Sequence, residues 1–207
     1  MSPVGAVVSG DDGLGRCPWG VAPPEYREYH DTEWGRPVTG ERAWFERISL
    51  EAFQSGLSWL VILRKREGFR AAFDGFDPDA VARYDDGHVR RLLADAEIVR
   101  NEAKVRATVA NARAVLALRD VGGLEHLVRA HRPLPAHGPR PSAPGDVPAT
   151  TPASVALARS LKAAGFRLVG PTTAYAAMQA CGLVDDHVEG CHVPPAPGTR
   201  TGWAPPA

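Results

Sequence analysis

Leu50-Glu51-Ala52-Phe53-Gln54-Ser55-Gly56-Leu57-Ser58-Trp59 closes one helix and opens the next. Upstream, Trp44, Ile48 and Ala52 recur at helical spacing with Phe45 and Phe53 beside them. A helix is therefore expected from near Thr39, carrying Glu51 close to its end. Gly56-Leu57 breaks the pattern, and Ser58 is an N-cap residue type for a helix from Trp59 to about Phe73. Asp77-Pro78 restarts the chain, a cap followed by the proline that first helical positions favour. Segments 86–95 and 101–119 are helical by pattern, joined by a short hairpin at 96–100. Further helices are expected from Thr151-Pro152 to about Ala164 and from Thr172 to Cys181, the second ended by Gly182. No strand is expected, and the fold class is all-α.

The chain has 207 residues, enough to bury a substantial core, and a single domain is expected. Basic and acidic residues balance at 24 each, which gives no support for nucleic-acid binding by bulk attraction. Arg64-Lys65-Arg66, Arg70, Arg100, Lys104 and Arg106 set out either a local basic face or an ordinary solvated helix surface. No apolar run is long enough to cross a bilayer, and the opening residues lack the basic start and apolar core of a secretory signal. Three cysteines give no even-numbered disulfide framework, and their mixture with histidines suits a reducing, cytoplasmic setting. Residues 1–14 are expected to be a flexible extension, 15–193 the domain, 133–152 a Pro-rich surface loop rather than a linker, and 194–207 a flexible tail.

Two clusters carry metal-ligand chemistry. Cys17 and His30 are separated by twelve residues, while His187 and Cys191 stand four apart and would share one helical face. Four such side chains are what a closed, structural zinc site needs. Cys181 and His192 are rival ligands, but Cys181 ends the apolar run Ala176-Ala177-Met178-Gln179-Ala180-Cys181 and reads as a packed thiol. A zinc deaminase is disfavoured, because the chain has His30-x-x-Glu33 in place of H-x-E and contains no C-x-x-C. With four protein ligands no position is left for a catalytic water, so the chemistry must lie elsewhere.

Aromatic residues and one carboxylate supply that second place. Trp19, Tyr26, Tyr29 and Trp34 form either an aromatic mini-core or a pocket for a planar ring, whereas Trp44 fits the core stripe of its helix. Glu51, Gln54 and Trp59 stand together beside a Gly-containing turn, the residue types that recognise a polar aromatic ligand.

Several of these motifs, in order, resemble the bacterial 3-methyladenine DNA glycosylase I family. They are Cys-x-Trp at 17–19, Tyr26 to Gly35, Leu50 to Trp59, Leu63-Arg64-Lys65-Arg66-Glu67, Phe76-Asp77-Pro78, and Met178 to His187. The resemblance runs from about Cys17 to Cys191. It implies an all-α helix-hairpin-helix glycosylase that hydrolyses the N-glycosidic bond of 3-methyladenine in alkylated double-stranded DNA, without lyase activity. It further implies one structural Zn2+ on Cys17, His30, His187 and Cys191, with Glu51 as the catalytic carboxylate. Trp19, Tyr26, Tyr29, Trp34 and Trp59 would line the base pocket. Leu57 would fill the vacated stack, and Arg100 and Lys104 would meet DNA. The product would be free 3-methyladenine and the protein a monomer. The hairpin departs from the pattern, since Glu97 stands where the family commonly has glycine, which predicts weaker phosphate binding or a reshaped turn. Two rival classes are a zinc-stapled DNA-binding module without catalysis and a binder of free purine. Asp120 is a rival for the catalytic carboxylate.

Overall fold

In the computed structural model, which describes residues 7–133 and 139–196, the periodicity around Trp44 becomes helix α2 (Glu41–Gln54), and the stretch after Ser58 becomes α3 (Trp59–Ala72). Asp77 caps α4 (Pro78–Val81) by accepting the Asp79 N–H, as the Asp-Pro restart predicts. The expected pair is α5 (Asp86–Ala94) and α6 (Glu102–Leu118), capped by the side chains of Asp85 and Asn101. The remaining expected helices are α8 (Pro152–Ala163) and α9 (Pro171–Ala180). Gly182 follows α9 at φ +66°, a conformation that L side chains rarely adopt, and a Cβ there would meet the Gly35 carbonyl at 2.6 Å.

Two helices are not announced by apolar period. One is α1 (Pro24–Thr32), built from Tyr, His, Glu, Asp and Arg, whose buried face is only Tyr29 and His30. The other is α7 (Gly123–Arg129), which opens on a poor helix former and is held by burial of Leu124 and Val128. The expectation of no strand is corrected by one short antiparallel pair, β1 (Val8–Ser9) with β2 (Gly15–Arg16). Two residues per strand are too few for alternation to register in sequence.

Two compact units result. The first draws on Met1–Pro37, Arg132–Thr151 and Met178–Ala207, and the second on Val38–His131 and Pro152–Ala177. The second has an aromatic core in which Phe53 and Phe69 lie 4.6 Å apart between ring centroids and Phe73 stacks on Phe76 at 5.6 Å, with Trp44, Phe45, Ile62 and Leu92 excluded from water. Each such side chain contributes about 1.5–3 kcal/mol when buried. The first unit contains a much smaller apolar cluster, Cys17, Val188, Cys191 and Val193, with Val7 and Trp19 packed against it. The described part of the Pro-rich stretch, 139–151, is irregular apart from a short turn at Pro144–Asp146. Residues 1–6 and 134–138, and the tail from 197 on, lie outside the described residues. Among the described residues no helix is long and apolar enough to cross a membrane.

Candidate functional site

Cys17, His30, His187 and Cys191 are all buried in the first unit, and their ligand atoms lie within 4.8 Å of one another. Cys17 Sγ is 3.6 Å from His187 Nδ1, and Cys191 Sγ is 3.5 Å from His30 Nε2 and 3.4 Å from His187 Nδ1. A tetrahedral ion with metal–sulfur bonds near 2.3 Å and metal–nitrogen bonds near 2.0 Å requires sulfur–nitrogen edges of about 3.5 Å. The donor set therefore fits a four-coordinate metal ion. Each histidine also offers its second nitrogen to an acceptor, which fixes the tautomer: His30 Nδ1 meets Asp31 Oδ1 at 2.8 Å, and His187 Nε2 meets the Trp34 carbonyl at 3.3 Å. Burial pushes His187 below the ordinary imidazole range, toward the neutral form a ligand needs.

The chain reaches this geometry by different routes at its two halves. His30 sits on α1, and Gly20 leaves room for its ring, because a Cβ at Gly20 would overlap it. His187 and Cys191 do not share a helical face as their spacing suggests. Residues 185–193 form an irregular segment in which Gly190 at φ +81° lets Cys191 turn back and donate its N–H to the Val188 carbonyl. Cys181 is buried at the end of α9 and is not one of the four grouped ligands, in line with a packed thiol. His192 sits 3.0 Å from Asp31 instead of joining them. Burial would raise the Asp31 carboxyl, but hydrogen bonds from Arg16, His30 and His192 outweigh it and hold the group at about 2.

The aromatic set packs directly on these ligands. Trp19 meets Trp34 edge-on at 5.0 Å, Tyr26 at 5.9 Å and His30 at 5.1 Å, while Trp34 meets His187 at 4.5 Å. Tyr29 is buried, whereas Trp19, Tyr26 and Trp34 keep part of their surface open. The four rings pack together as an aromatic cluster in which Tyr29 is buried and the other three are half-buried.

Glu51 lies in the second unit on the last turn of α2 and is 6% exposed. Among the described residues no hydrogen bond reaches its carboxylate. Burial pushes the group up to about 8, against a smaller lowering by the charge of Arg47. Just beyond it, Gly56 takes φ +79° and Leu57 stands 40% exposed at the turn, while Trp59 opens α3 half-buried. Lys104 Nζ donates to the carbonyls of Phe53 (2.8 Å) and Ser55 (2.6 Å), the end of α2. Lys104→Met is accordingly expected to lower the melting temperature by about 3–12 °C, the scale of losing at least one charged hydrogen bond.

Arg100 is exposed in the link 95–101 before α6. Glu97 in that link needs no glycine geometry, since its φ is not positive and its N–H is accepted by Asp95 Oδ1 at 2.8 Å. Gly68 of α3 allows the link to approach, for a Cβ there would lie 2.5 Å from the Glu97 carbonyl. Asp120 is exposed in the short turn after α6. Sequence reasoning passes over two holding side chains. Asn111, buried in α6, pairs with both backbone groups of Arg167 (2.7 and 3.2 Å) and fixes the turn between α8 and α9. Arg140, in the Pro-rich loop, is buried against Asp185. A polar residue inside an apolar helix is the only signal for the first, and nothing in the local sequence marks the second.

Together the fold and site define a helical protein with a closed Cys2His2 group in one unit and a buried carboxylate in the other. The profile of the methyladenine glycosylase family matches residues 19–194. DNA-3-methyladenine glycosylase 1 of Escherichia coli (strain K12) is 45% identical over 179 residues, 85% of this chain and 95% of that protein. A crystal structure of a 3-methyladenine DNA glycosylase I is similar with a TM-score of 0.81 and 44% identity, covering 85% of this chain and 97% of that one. The Staphylococcus aureus 3-methyladenine DNA glycosylase I, solved for its recognition of 3-methyladenine, is similar with a TM-score of 0.80 and 30% identity over 91% of this chain and 98% of that one. The chain belongs to the methyladenine glycosylase family.

Proposed function

We propose that this protein excises 3-methyladenine from alkylated double-stranded DNA by hydrolysing the N-glycosidic bond, the first step of base-excision repair. The carrying observation is Glu51, a buried carboxylate with no hydrogen-bond partner among the described residues, in a chain of this family. Alkylation at N3 gives the base a positive charge and makes it a good leaving group. Water bonds to the sugar C1′ and releases a proton, while the base departs with the electrons of the broken bond as neutral 3-methyladenine. Little activation is needed, so selectivity comes from preferring the cation to adenine.

In this reading Glu51 accepts hydrogen bonds from the exocyclic amine edge of the base, and Trp59 stacks on its face. The aromatic cluster of the first unit, Trp19, Tyr26, Tyr29 and Trp34, is proposed to bind substrate as well. Taking the base out of the duplex costs a few kcal/mol, which stacking at about 1–3 kcal/mol per base helps to offset. Leu57 fills the vacated position, Arg100 meets phosphate, and Lys104 acts indirectly by holding the Ser55–Leu57 turn. None of the groups assigned to the base is an amine, so the reaction is hydrolysis without strand cleavage. The ion is zinc, bound by Cys17, His30, His187 and Cys191 and closed to water, and its role is to hold the loops that carry the aromatics. The domain is assigned to 15–193, and the protein works as a cytoplasmic monomer.

Base release from methylated duplex, followed by chromatography, tests the assignment. Asp120→Asn is expected to keep activity within about twofold, because its side chain is exposed in the turn after α6 whereas that of Glu51 is buried. Loss of release in Asp120→Asn with full release in Glu51→Gln would reverse the roles. Binding of damaged duplex with no release at all would favour a non-catalytic module.

A further inference from the structure

Arg140 belongs to the Pro-rich loop, which lies outside the motifs of the family resemblance, yet its side chain is only 7% exposed. Its guanidinium donates three ways: Nε to Asp185 Oδ2 (3.0 Å), Nη1 to the Cys191 carbonyl (3.0 Å) and Nη2 to the Val193 carbonyl (2.6 Å). Asp185, 2% exposed, accepts the His187 N–H at 3.3 Å, and the Pro141 carbonyl accepts the Glu189 N–H at 2.9 Å. One side chain therefore grips both ends of the segment that carries His187 and Cys191. That segment has no helix or strand to order it. His30, by contrast, is placed by α1 and by Asp31.

We infer that Arg140 is the positioning residue of the metal group, setting His187 and Cys191 in place before the ion arrives and so determining how tightly the ion is held. The inference rests on the zinc reading above. A segment ordered only on metal binding would charge its ordering entropy to the ion's affinity, whereas a pre-ordered one does not. Only arginine has the planar fork to serve a carboxylate and two carbonyls at once, and lysine's ammonium cannot span all three.

The test uses the full chain with zinc. Arg140→Met keeps the stem and removes every donor, and Arg140→Lys keeps the charge for Asp185. The zinc dissociation constant comes from competition with a chromogenic chelator, and melting temperatures are taken with and without excess chelator. Arg140→Met is expected to weaken zinc by about 10–100-fold, with a smaller loss in Arg140→Lys, and to narrow the gap between the loaded and chelated melting temperatures. Equal lowering of both melting temperatures with an unchanged dissociation constant would make Arg140 a purely structural residue and overturn the inference. Should Arg140→Met fail to fold, Arg140→Lys and Asp185→Asn carry the test, and unchanged zinc affinity in both overturns it. A parent chain that binds no zinc removes the zinc reading itself, and the inference falls with it.

Discussion

Glu51→Gln is expected to lower release of 3-methyladenine at least a hundredfold while raising the melting temperature at pH 8. The loss follows because an ionised partner for the cationic base is replaced by a neutral amide of the same shape, and removal of one preorganised charged contact typically costs about 10²–10³ in rate. The gain follows from burial. Glu51 is lifted from 4.5 to about 8, so between those values the folded protein keeps a proton that the unfolded chain has released. Stability therefore falls as pH rises from about 4.5 to about 8, and the amide escapes that fall. The variant's advantage should be near zero at pH 4.5 and on the order of 3–5 kcal/mol at pH 8, roughly 10 °C in melting temperature. The kcat/KM of the parent should rise through pH 8 as the carboxylate ionises in the free protein. A variant with full activity, or one whose melting temperature follows pH as the parent's does, would remove Glu51 from its role.

Removing the metal is expected to undo the first unit and spare most of the second. Chelation, or His187→Ala, leaves the thiols and imidazole nitrogens that would bind the ion buried without it, beside an apolar cluster of only Cys17, Val188, Cys191 and Val193. Loss of an interaction worth about 4 kcal/mol or more would lower the first unit's melting temperature by roughly 15–30 °C. Helical circular dichroism should persist through that transition, because α2 to α8 belong to the second unit. Tryptophan emission should shift, because Trp19 and Trp34 touch the ligand histidines. Metal analysis should find about one ion per chain before chelation. Equal melting temperatures before and after chelation would count against a structural ion.

The helices of the second unit are legible because their apolar residues repeat with the period of the helix, as Trp44, Ile48 and Ala52 do, and because Asp77-Pro78 announces its own cap. α1 is not legible in the same way, since what it buries is a tyrosine and a ligand histidine rather than an aliphatic stripe. The ligand set was readable from residue type, but spacing misled on its geometry: His187 and Cys191 meet across a glycine turn, not along a helix. Charge alone also fails to say where a cation points. Lys104 and Arg100 look alike in sequence, yet one is turned onto the carbonyls of α2 and the other faces solvent. Arg140 shows the further limit, for its partners lie 45 or more residues away and only the folded chain reveals them.

The order in which the chain is made bears on the Cys2His2 group. Ligands at 17, 30, 187 and 191 cannot all be present until synthesis has passed Cys191, whereas every residue of the second unit has been made by Ala177. During translation the aromatic core around Phe53 and Phe73 can settle while Trp34 still waits for His187. An ion held by these four residues would therefore be captured only after the second unit is complete, and chelator added during synthesis is expected to leave the second unit folded and the first unit open.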